Sequence, residues 1–391
     1  MVHNKYQVHG GEDVVFENEK HLLTLNSFSV SEYVVSNTSI SGFFDQVNAL
    51  RGVKFSKKQK RFLSEKISLI NPCLIHAHNI FPLLTPSIFH ACQDTGVPVV
   101  YTLHNYRNLC PTATLMIDGK ICERSLEASS WWTVPKRVYR NSLIGTAALA
   151  YMVEYHKRKR TWQTHVDRYI ALTEFAKAKF IAGGFPADKI SVKPNFIEDP
   201  HKANKKIDKK GGYAVFVGRL SEEKGLTTLL DAWRDINYPL KIIGDGPIKS
   251  IVKKQSDDNV NIHFLGFQNK EAILSLLQDA DFLIMPSTWY EGFPMVLLEA
   301  FANGTPALVS NVGGMAEIVS DGITGLHFEV SNSESLAEKA VYLIQHPKIT
   351  REMGINSRIE YLQKYTPEIN VEILLDIYRQ AIRDKKGVCT F

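Results

Sequence analysis

Two acids eight positions apart flank the start of a helix in MPSTWYEGFPMVLLEAFANGTP, residues 285–306. Glu291 lies in a polar, aromatic loop behind the apolar run FLIMP, and Glu299 lies one to two turns into a helix that Pro294 opens and Asn303-Gly304 closes. A rise of ~1.5 Å per residue separates such positions by ~12 Å along a helix axis. Carboxylates that act on a single glycosidic bond stand only ~5–9.5 Å apart. The spacing therefore suits two ends of an elongated ligand better than two acids around one atom. A nucleotide sugar has that shape. Its sugar hydroxyls would meet Glu291, its ribose hydroxyls Glu299, and its phosphates the backbone of Gly292, Phe293, Pro294, Met295 and Val296. The competing reading is a solvated loop acid and a surface helix acid.

A second group stands in FVGRLSEEKGLTTLLDAW, residues 216–233, where a strand ends at Gly218 and Arg219 and Lys224 follow. Cations at a strand-to-helix junction suit a diphosphate, arginine as a fork and lysine as a point charge. The alternative is an exposed turn in which Glu222, Glu223 and Lys224 pair with one another. Gly10 and Gly11 of HGGED open a helix and would let the backbone approach a phosphate or sugar closely. His104 of YTLHNYRNLCP ends a strand among polar neighbours, either as a structural histidine or as a site residue. The loops IGDGP (243–247) and FLGF (264–267) follow consecutive strands, so Gly266 and Phe267 are candidates for contact with a flat base. No G-x-x-x-x-G-K-[ST], G-x-S-x-G or H-E-x-x-H occurs, which removes the main support for kinase, hydrolase and metalloprotease readings. No metal is expected at the site.

The elements that must position these residues are short apolar runs alternating with helical patterns, the signature of doubly wound α/β domains. Candidate strands in the first half are CLIHAH (73–78), VPVVYTL (97–103), RYIAL (168–172) and ISVKP (190–194), with a weaker one at SEYVV (31–35). In the second half they are YAVFVG (213–218), LKIIG (240–244), VNIHFLG (260–266), DFLIMP (281–286) and TPALVS (305–310). Each is almost continuously apolar, as strands covered on both faces are. Only MVHN precedes KYQVHGGED, so the first strand is expected to be very short or to lack upstream residues. Residues 1–196 are read as a first domain, 197–212 as a lysine-rich linker, 213–365 as a second domain and 366–391 as a terminal helix with Pro367 at its first position.

A length of 391 residues suits two domains, and 44% hydrophobic against 22% charged residues marks a globular chain with sizeable cores. A net charge of +5 is too weak to imply nucleic acid, and none is expected as partner. Cys73, Cys92, Cys110, Cys122 and Cys389 have no C-x-x-C spacing and point to reduced thiols in the cytoplasm, with a metal or bridge shared by Cys110 and Cys122 as the alternative. The longest apolar stretch, SLIGTAALAYMV (142–153), is well short of the ~20 residues that span a bilayer.

With VGRLSEEKG, IGDGP, EGFPMVLLEAFANGTPALVSNVGGMAEIV and DGITGLHF in order, the second half resembles the retaining glycosyltransferases of the GT-B fold, family 4-like. In the first half HNKYQVHGGEDVVFENE, HAHNIFP, YTLHNYRNLCP, YRNS and VKPNF look like a bacterial surface-polysaccharide branch. The resemblance implies two Rossmann-like doubly wound domains facing a central cleft, with a C-terminal helix crossing back to the first. It implies a UDP- or GDP-linked sugar as donor and no other cofactor. Arg219 and Lys224 would hold the diphosphate, Glu299 the ribose, and Glu291 with the amides after it the transferred sugar. Gly11, with Gly10, would lie against the donor, and His104 would face the reacting sugar and phosphate. The acceptor would be a saccharide, free or linked to polyprenyl diphosphate. Two departures stand out: the short start, and CERS (122–125) where relatives often continue C-x-x-C. The segment 136–162 has basic ends around an apolar core, either a buried helix or a helix docking on anionic lipid at the inner face of the plasma membrane. A nucleotide-sugar 2-epimerase of the same fold and a non-catalytic nucleotide-sugar-binding subunit are the alternatives.

Overall fold

The computed structural model describes residues 1–6, 10–37, 52–201 and 211–386. They form two compact units. One comprises Met1–Ile117, Cys122–Pro194 and Asn370–Phe391, and the other Asp118–Ile121 and Asn195–Ile369.

The first unit is built on six strands: β1 (Val2–Lys5), β2 (Tyr33–Ser36), β3 (Ile75–Ala77), β4 (Val99–Leu103), β5 (Arg168–Ala171) and β6 (Ile190–Val192). All pairings are parallel, in the order β2-β1-β3-β4-β5-β6. The short run MVHN does make a strand, pairing Val2 with Tyr33 and, on its other side, with Ala77. Helix α1 (Gly11–Leu25) follows β1 and buries Phe16, Glu19 and Leu23 on one stripe at helical spacing. Helix α2 (Leu143–Arg158) is capped by Ser142, whose hydroxyl accepts from the Gly145 amide.

The second unit carries β7 (Ala214–Val217), β8 (Leu240–Ile243), β9 (Ile262–Gly266), β10 (Phe282–Met285), β11 (Ala307–Ser310) and β12 (Gly325–Phe328). These are again all parallel, in the order β9-β8-β7-β10-β11-β12. That is the doubly wound order of a dinucleotide-binding sheet. Helices α3 (Leu226–Ala232), α4 (Met295–Ala302) and α5 (Pro347–Lys364) cover it. Phe216, Trp233, Ile242, Phe282, Phe328 and Met353 meet in its core, and the Trp233 indole N–H is satisfied by the Tyr238 carbonyl at 2.7 Å.

The predicted linker is corrected at its start. The Tyr361 hydroxyl donates to the Ile197 carbonyl, Arg358 grips Asp199 as a fork at 2.8 and 2.7 Å, and His201 lies 2.7 Å from Asn303 Oδ1. Residues 197–201 are thus fastened to the second unit by charge and hydrogen bonds that residue periodicity does not reveal. Residues 202–210 lie outside the described residues. The last helix, α6 (Pro367–Lys386), starts at the predicted proline and joins the first unit from Asn370 onward. There Leu374, Ile377, Tyr378 and Ala381 pack with Leu23, Val100 and Ile170.

Candidate active site

In an open parallel sheet the place for a ligand is beyond the carboxyl ends of the strands, where the strand order reverses and neighbouring loops part. In the second unit that point lies between β7 and β10. The loop after β7 carries Arg219 and Lys224, and the loop after β10 carries Ser287, Trp289 and Glu291.

Glu291 is buried, only 6% exposed, and its Oε1 is the focus of three donors. Lys224 Nζ and Ser287 Oγ each stand at 2.6 Å and Trp289 Nε1 at 2.9 Å. Oε2 takes no hydrogen bond among the described residues. Burial pushes this carboxyl toward its neutral form, but the Lys224 charge and the three donors outweigh it and hold the group below its ordinary range. The result is an ionised carboxylate, fixed through one oxygen and open at the other.

Lys224 is delivered by a tight turn. Gly225 has φ +69°, and a Cβ there would stand 1.8 Å from the Pro286 carbonyl oxygen. Only glycine lets the lysine loop lie this close to the end of β10. The Thr288 amide, donating to the Glu223 carbonyl at 2.9 Å, ties the same two loops together. Arg219 is exposed, and its guanidinium makes no hydrogen bond or ion pair among the described residues. Helix α4 begins at Pro294 with no side-chain cap, so the Met295 and Val296 amides at its first turn are uncommitted among the described residues. Gly292 is half-buried beside the buried Phe293 and Pro294. Glu299, the fifth residue of α4, is half-buried, and burial pushes its carboxyl up against a weaker opposing pull from Lys270. The Glu299 carboxylate accepts no hydrogen bond among the described residues. Gly266 closes β9 with φ +67°, and the Phe267 ring beside it is 78% exposed. The readings of Glu291 as a solvated loop acid and of Lys224 as a member of a local surface charge pair do not hold.

One Asp-x-Asp spacing, Asp279-Ala280-Asp281, does occur in the chain. It sits before β10, at the amino end of the sheet, where Asp281 accepts from the Gly212 amide and the Tyr238 hydroxyl. It is therefore turned away from the carboxyl-end loops that carry Arg219, Lys224 and Glu291.

In the first unit the order reverses between β1 and β3. Gly10 and Gly11 open α1 there, and the Gly10 amide donates to Asp13 Oδ2 at 2.9 Å. Nothing stands within 4 Å of where a Cβ on Gly11 would project, so that glycine faces open space. His104, just after β4, lines a small cavity with Glu12, His78, Asn79, Asn105 and Arg107. About 20 Å³ of it is open to a water-sized group, enough for a hydroxyl and too little for a sugar ring. Glu12 Oε1 accepts from Asn105 Nδ2 at 2.7 Å, and burial pushes this carboxyl up. The Arg107 guanidinium lies over the rings of Phe81 and Tyr139 at 4.7 and 5.5 Å.

Behind His104 is a buried polar cluster outside the motifs that mark the site: Glu19, His76, His78 and Lys193. Its signal is present in HAHNIFP, where strand alternation puts His76 and His78 on one face, and in an acid set within the apolar stripe of α1. Glu19, His76 and His78 are close enough together to hold a metal. Lys193 Nζ, 2.7 Å from Glu19 Oε1, already supplies the cation there. Cys110 and Cys122 are both free thiols, which removes the bridge considered between them. Cys389 lies outside the described residues.

Residues 198–360 match the family model described as glycosyl transferases group 1, and residues 19–199 match glycosyltransferase family 4. An uncharacterized glycosyltransferase of Methanocaldococcus jannaschii is 26% identical over 367 residues, covering 93% of this chain and 90% of that protein. The lipopolysaccharide 1,2-N-acetylglucosaminetransferase of Salmonella typhimurium is 29% identical over 194 residues, 43% of this chain and 51% of that protein. Among solved structures, Anabaena HepE in complex with UDP superposes with a TM-score of 0.65 at 18% identity, covering 96% of this chain and 99% of that one. That likeness is one of fold.

Proposed function

Because the chain belongs to the glycosyltransferases of the family 4 and group 1 type, with the paired Rossmann-like halves of the GT-B fold, we propose that it moves a hexose-type sugar from a UDP- or GDP-linked donor to a saccharide acceptor. The transfer proceeds with retention and without a metal, in the synthesis of a bacterial surface polysaccharide. The observation that carries this reading is the Glu291 carboxylate, anchored at Oε1 by Lys224, Ser287 and Trp289 and open at Oε2. Two sugar hydroxyls can donate to such an oxygen. Lys224 has three N–H donors and gives one to Glu291, so the others remain for a diphosphate beside the free Arg219 fork. Glu299 is the acceptor for ribose hydroxyls, and the uncapped start of α4 receives phosphate oxygens. Gly266 and Phe267 border the base. In the first unit Gly10, Gly11 and His104 are proposed as substrate contacts.

In the reaction the bond between the anomeric carbon and the diphosphate oxygen breaks as the acceptor oxygen bonds that carbon on the same face. The acceptor proton passes to an oxygen of the departing diphosphate. Arg219 and Lys224 stabilise the charge that develops there, and the carboxylates hold the donor in place, so positioning and electrostatics lower the barrier. A solved neighbour bound to UDP and a relative that acts on lipopolysaccharide support the donor and acceptor classes. For the acceptor we favour a saccharide on polyprenyl diphosphate, met at the inner face of the plasma membrane. No described helix is long and apolar enough to cross a membrane. Trp131, Leu143, Ile144 and Tyr151 are nevertheless exposed near the exposed cations Lys136, Arg137 and Arg140, a combination that suits an anionic lipid surface.

The test is a thermal-shift series with UDP, GDP and their common sugars, without added metal. A ligand at ~100 times its Kd stabilises by ~2.7 kcal/mol. A shift with one nucleotide, abolished in Lys224→Ala, is expected. No shift with any of them, in a chain that melts cooperatively, would leave the non-catalytic reading in front. Donor turnover to an epimeric sugar without an acceptor would favour the epimerase.

A further inference from the structure

Among the buried atoms of the first unit that lack a hydrogen-bond partner of good geometry are Glu19 Oε2 and His78 Nε2. They face each other at 3.4 Å. A carboxylate oxygen offers only lone pairs, so a bare imidazole nitrogen opposite it would set lone pair against lone pair with no water to intervene. The contact is tolerable only if His78 carries its proton on Nε2. Glu19 is already balanced by Lys193, whose ammonium is 2.7 Å from Oε1 and completes its shell with Asn370 Oδ1 at 3.0 Å and the Pro194 carbonyl at 3.4 Å. A second proton on His78 would place a net positive charge among fully buried groups. His76 offers no alternative route, since Tyr378 and Thr102 occupy its two ring nitrogens at 2.7 Å each.

With Nε2 protonated, His78 presents the lone pair of Nδ1. That atom lies 3.1 Å from Nε2 of His104. We infer that Glu19 and His78 are positioning residues that fix His104 as its Nε2–H tautomer, so that Nδ1, which has no hydrogen bond among the described residues, meets its ligand as an acceptor. An acceptor nitrogen engages a hydroxyl and repels a phosphate oxygen. Burial holds His104 well below the ordinary imidazole range, so it stays neutral and keeps that polarity. On the transferase reading, His104 therefore orients a sugar hydroxyl and does not donate to the diphosphate. The tautomer itself does not depend on that reading.

The experiment is a long-range 1H–15N correlation spectrum of the full chain labelled with 15N-histidine, with the His104 signals assigned by their loss in His104→Gln. The expected pattern for His104 is a protonated Nε2 and a bare Nδ1. In His78→Phe the acceptor is gone and the His104 signals should move to the average of two exchanging tautomers. His78→Asn, whose Oδ1 takes the place of Nδ1, should restore the Nε2–H pattern and serves if the phenylalanine variant fails to fold. A protonated Nδ1 on His104 in the native chain would overturn the inference, as would a His104 spectrum indifferent to His78→Phe. Because no substrate is present, failure here is distinct from failure to bind a nucleotide or transfer a sugar.

Discussion

At the scale of single residues, the two glutamates that flank the start of α4 are shifted in opposite directions. Glu291 is held ionised by Lys224, and its depressed carboxyl links the site to acid stability. The charged form is favoured by folding, so its contribution is complete above the ordinary value of 4.5 and is lost as pH falls through the lower folded value. Glu291→Gln removes the charge, at a cost of order 1–3 kcal/mol. In paired urea titrations the gap between native and variant stability should stay level from about pH 7 to pH 5 and close below 4.5. A gap that persists to the lowest pH would mean that Lys224 does not set the charge of Glu291. Glu299 runs the other way. Its carboxyl is raised by burial, so ionising it at neutral pH works against folding, and the opposition disappears as pH drops below the folded value. Glu299→Gln should therefore raise the Tm of the unliganded chain at pH 7. If Glu299 holds ribose, the same change should weaken nucleotide binding roughly tenfold to a hundredfold, the worth of a hydrogen bond to a charged group. A lower Tm, or unchanged affinity in a calorimetric titration, would contradict one half or the other. The sequence makes both acids visible through their spacing. It does not make visible that Lys224 and Glu291, 67 positions apart, share a hydrogen bond, because that contact is created by the strand order β7-β10.

At the scale of elements, the site is a consequence of how closely two loops approach. The left-handed Gly225 and the Pro286 carbonyl leave no room for a side chain. Gly225→Ala would impose both a strained φ and a backbone clash, so the Lys224 turn must move or the chain must unfold. The expected outcome is a loss of several °C in Tm together with the loss of any nucleotide-induced shift; a variant that melts and binds like the native chain would show that the turn has slack. Helix α2 poses a different problem, since its two ends carry different chemistry. Lys157–Arg160 cluster at the carboxyl end, where cations already complement the helix dipole, so they do not call for a ligand. The exposed Leu143 and Ile144 at the other end, and Trp131 beside Tyr151 midway along the helix, have no such local reason. Ile144→Ser with Trp131→Ser should reduce co-sedimentation with vesicles containing anionic lipid more than replacing Lys157–Arg160 by serines does. The reverse order would place the contact at the basic end. Here the sequence shows the helix and its charged ends, but not which apolar residues the fold leaves outside: the segment is apolar nearly all round, and only packing against the domain distinguishes buried Leu149 and Val153 from exposed Ile144.

At the scale of the whole molecule, the first unit is finished by the end of the chain. Tyr378 reaches His76 across 302 positions and Asn370 reaches Lys193 across 177, while Leu374, Ile377 and Ala381 cover the sheet beside Leu23, Val100 and Ile170. Helical spacing and Pro367 announce that a helix forms here. Its destination is less legible, because a stripe of apolar residues says that something is covered without saying what. The polar pair is the better clue, since buried Lys193, already paired with Glu19, and buried His76, already paired with Thr102, each take a further partner from the terminal helix. The two units should therefore respond unequally to a chain stopped after Thr366. The second unit keeps every strand, its core around Trp233 and the whole Lys224–Glu291 arrangement. The first unit loses an apolar cover and leaves Lys193 and His76 each short of a partner, and an unmet polar group of this kind costs about 1–3 kcal/mol before any apolar term is added. Calorimetry on the truncated chain should show one transition displaced to lower temperature and one retained. Limited proteolysis should cut first within residues 1–194. Tyr378→Phe, which removes only the hydroxyl opposite His76, should displace the same transition by a smaller amount. If both transitions fell together, the terminal helix would be stabilising the chain by a route other than the core and polar contacts it makes within the first unit.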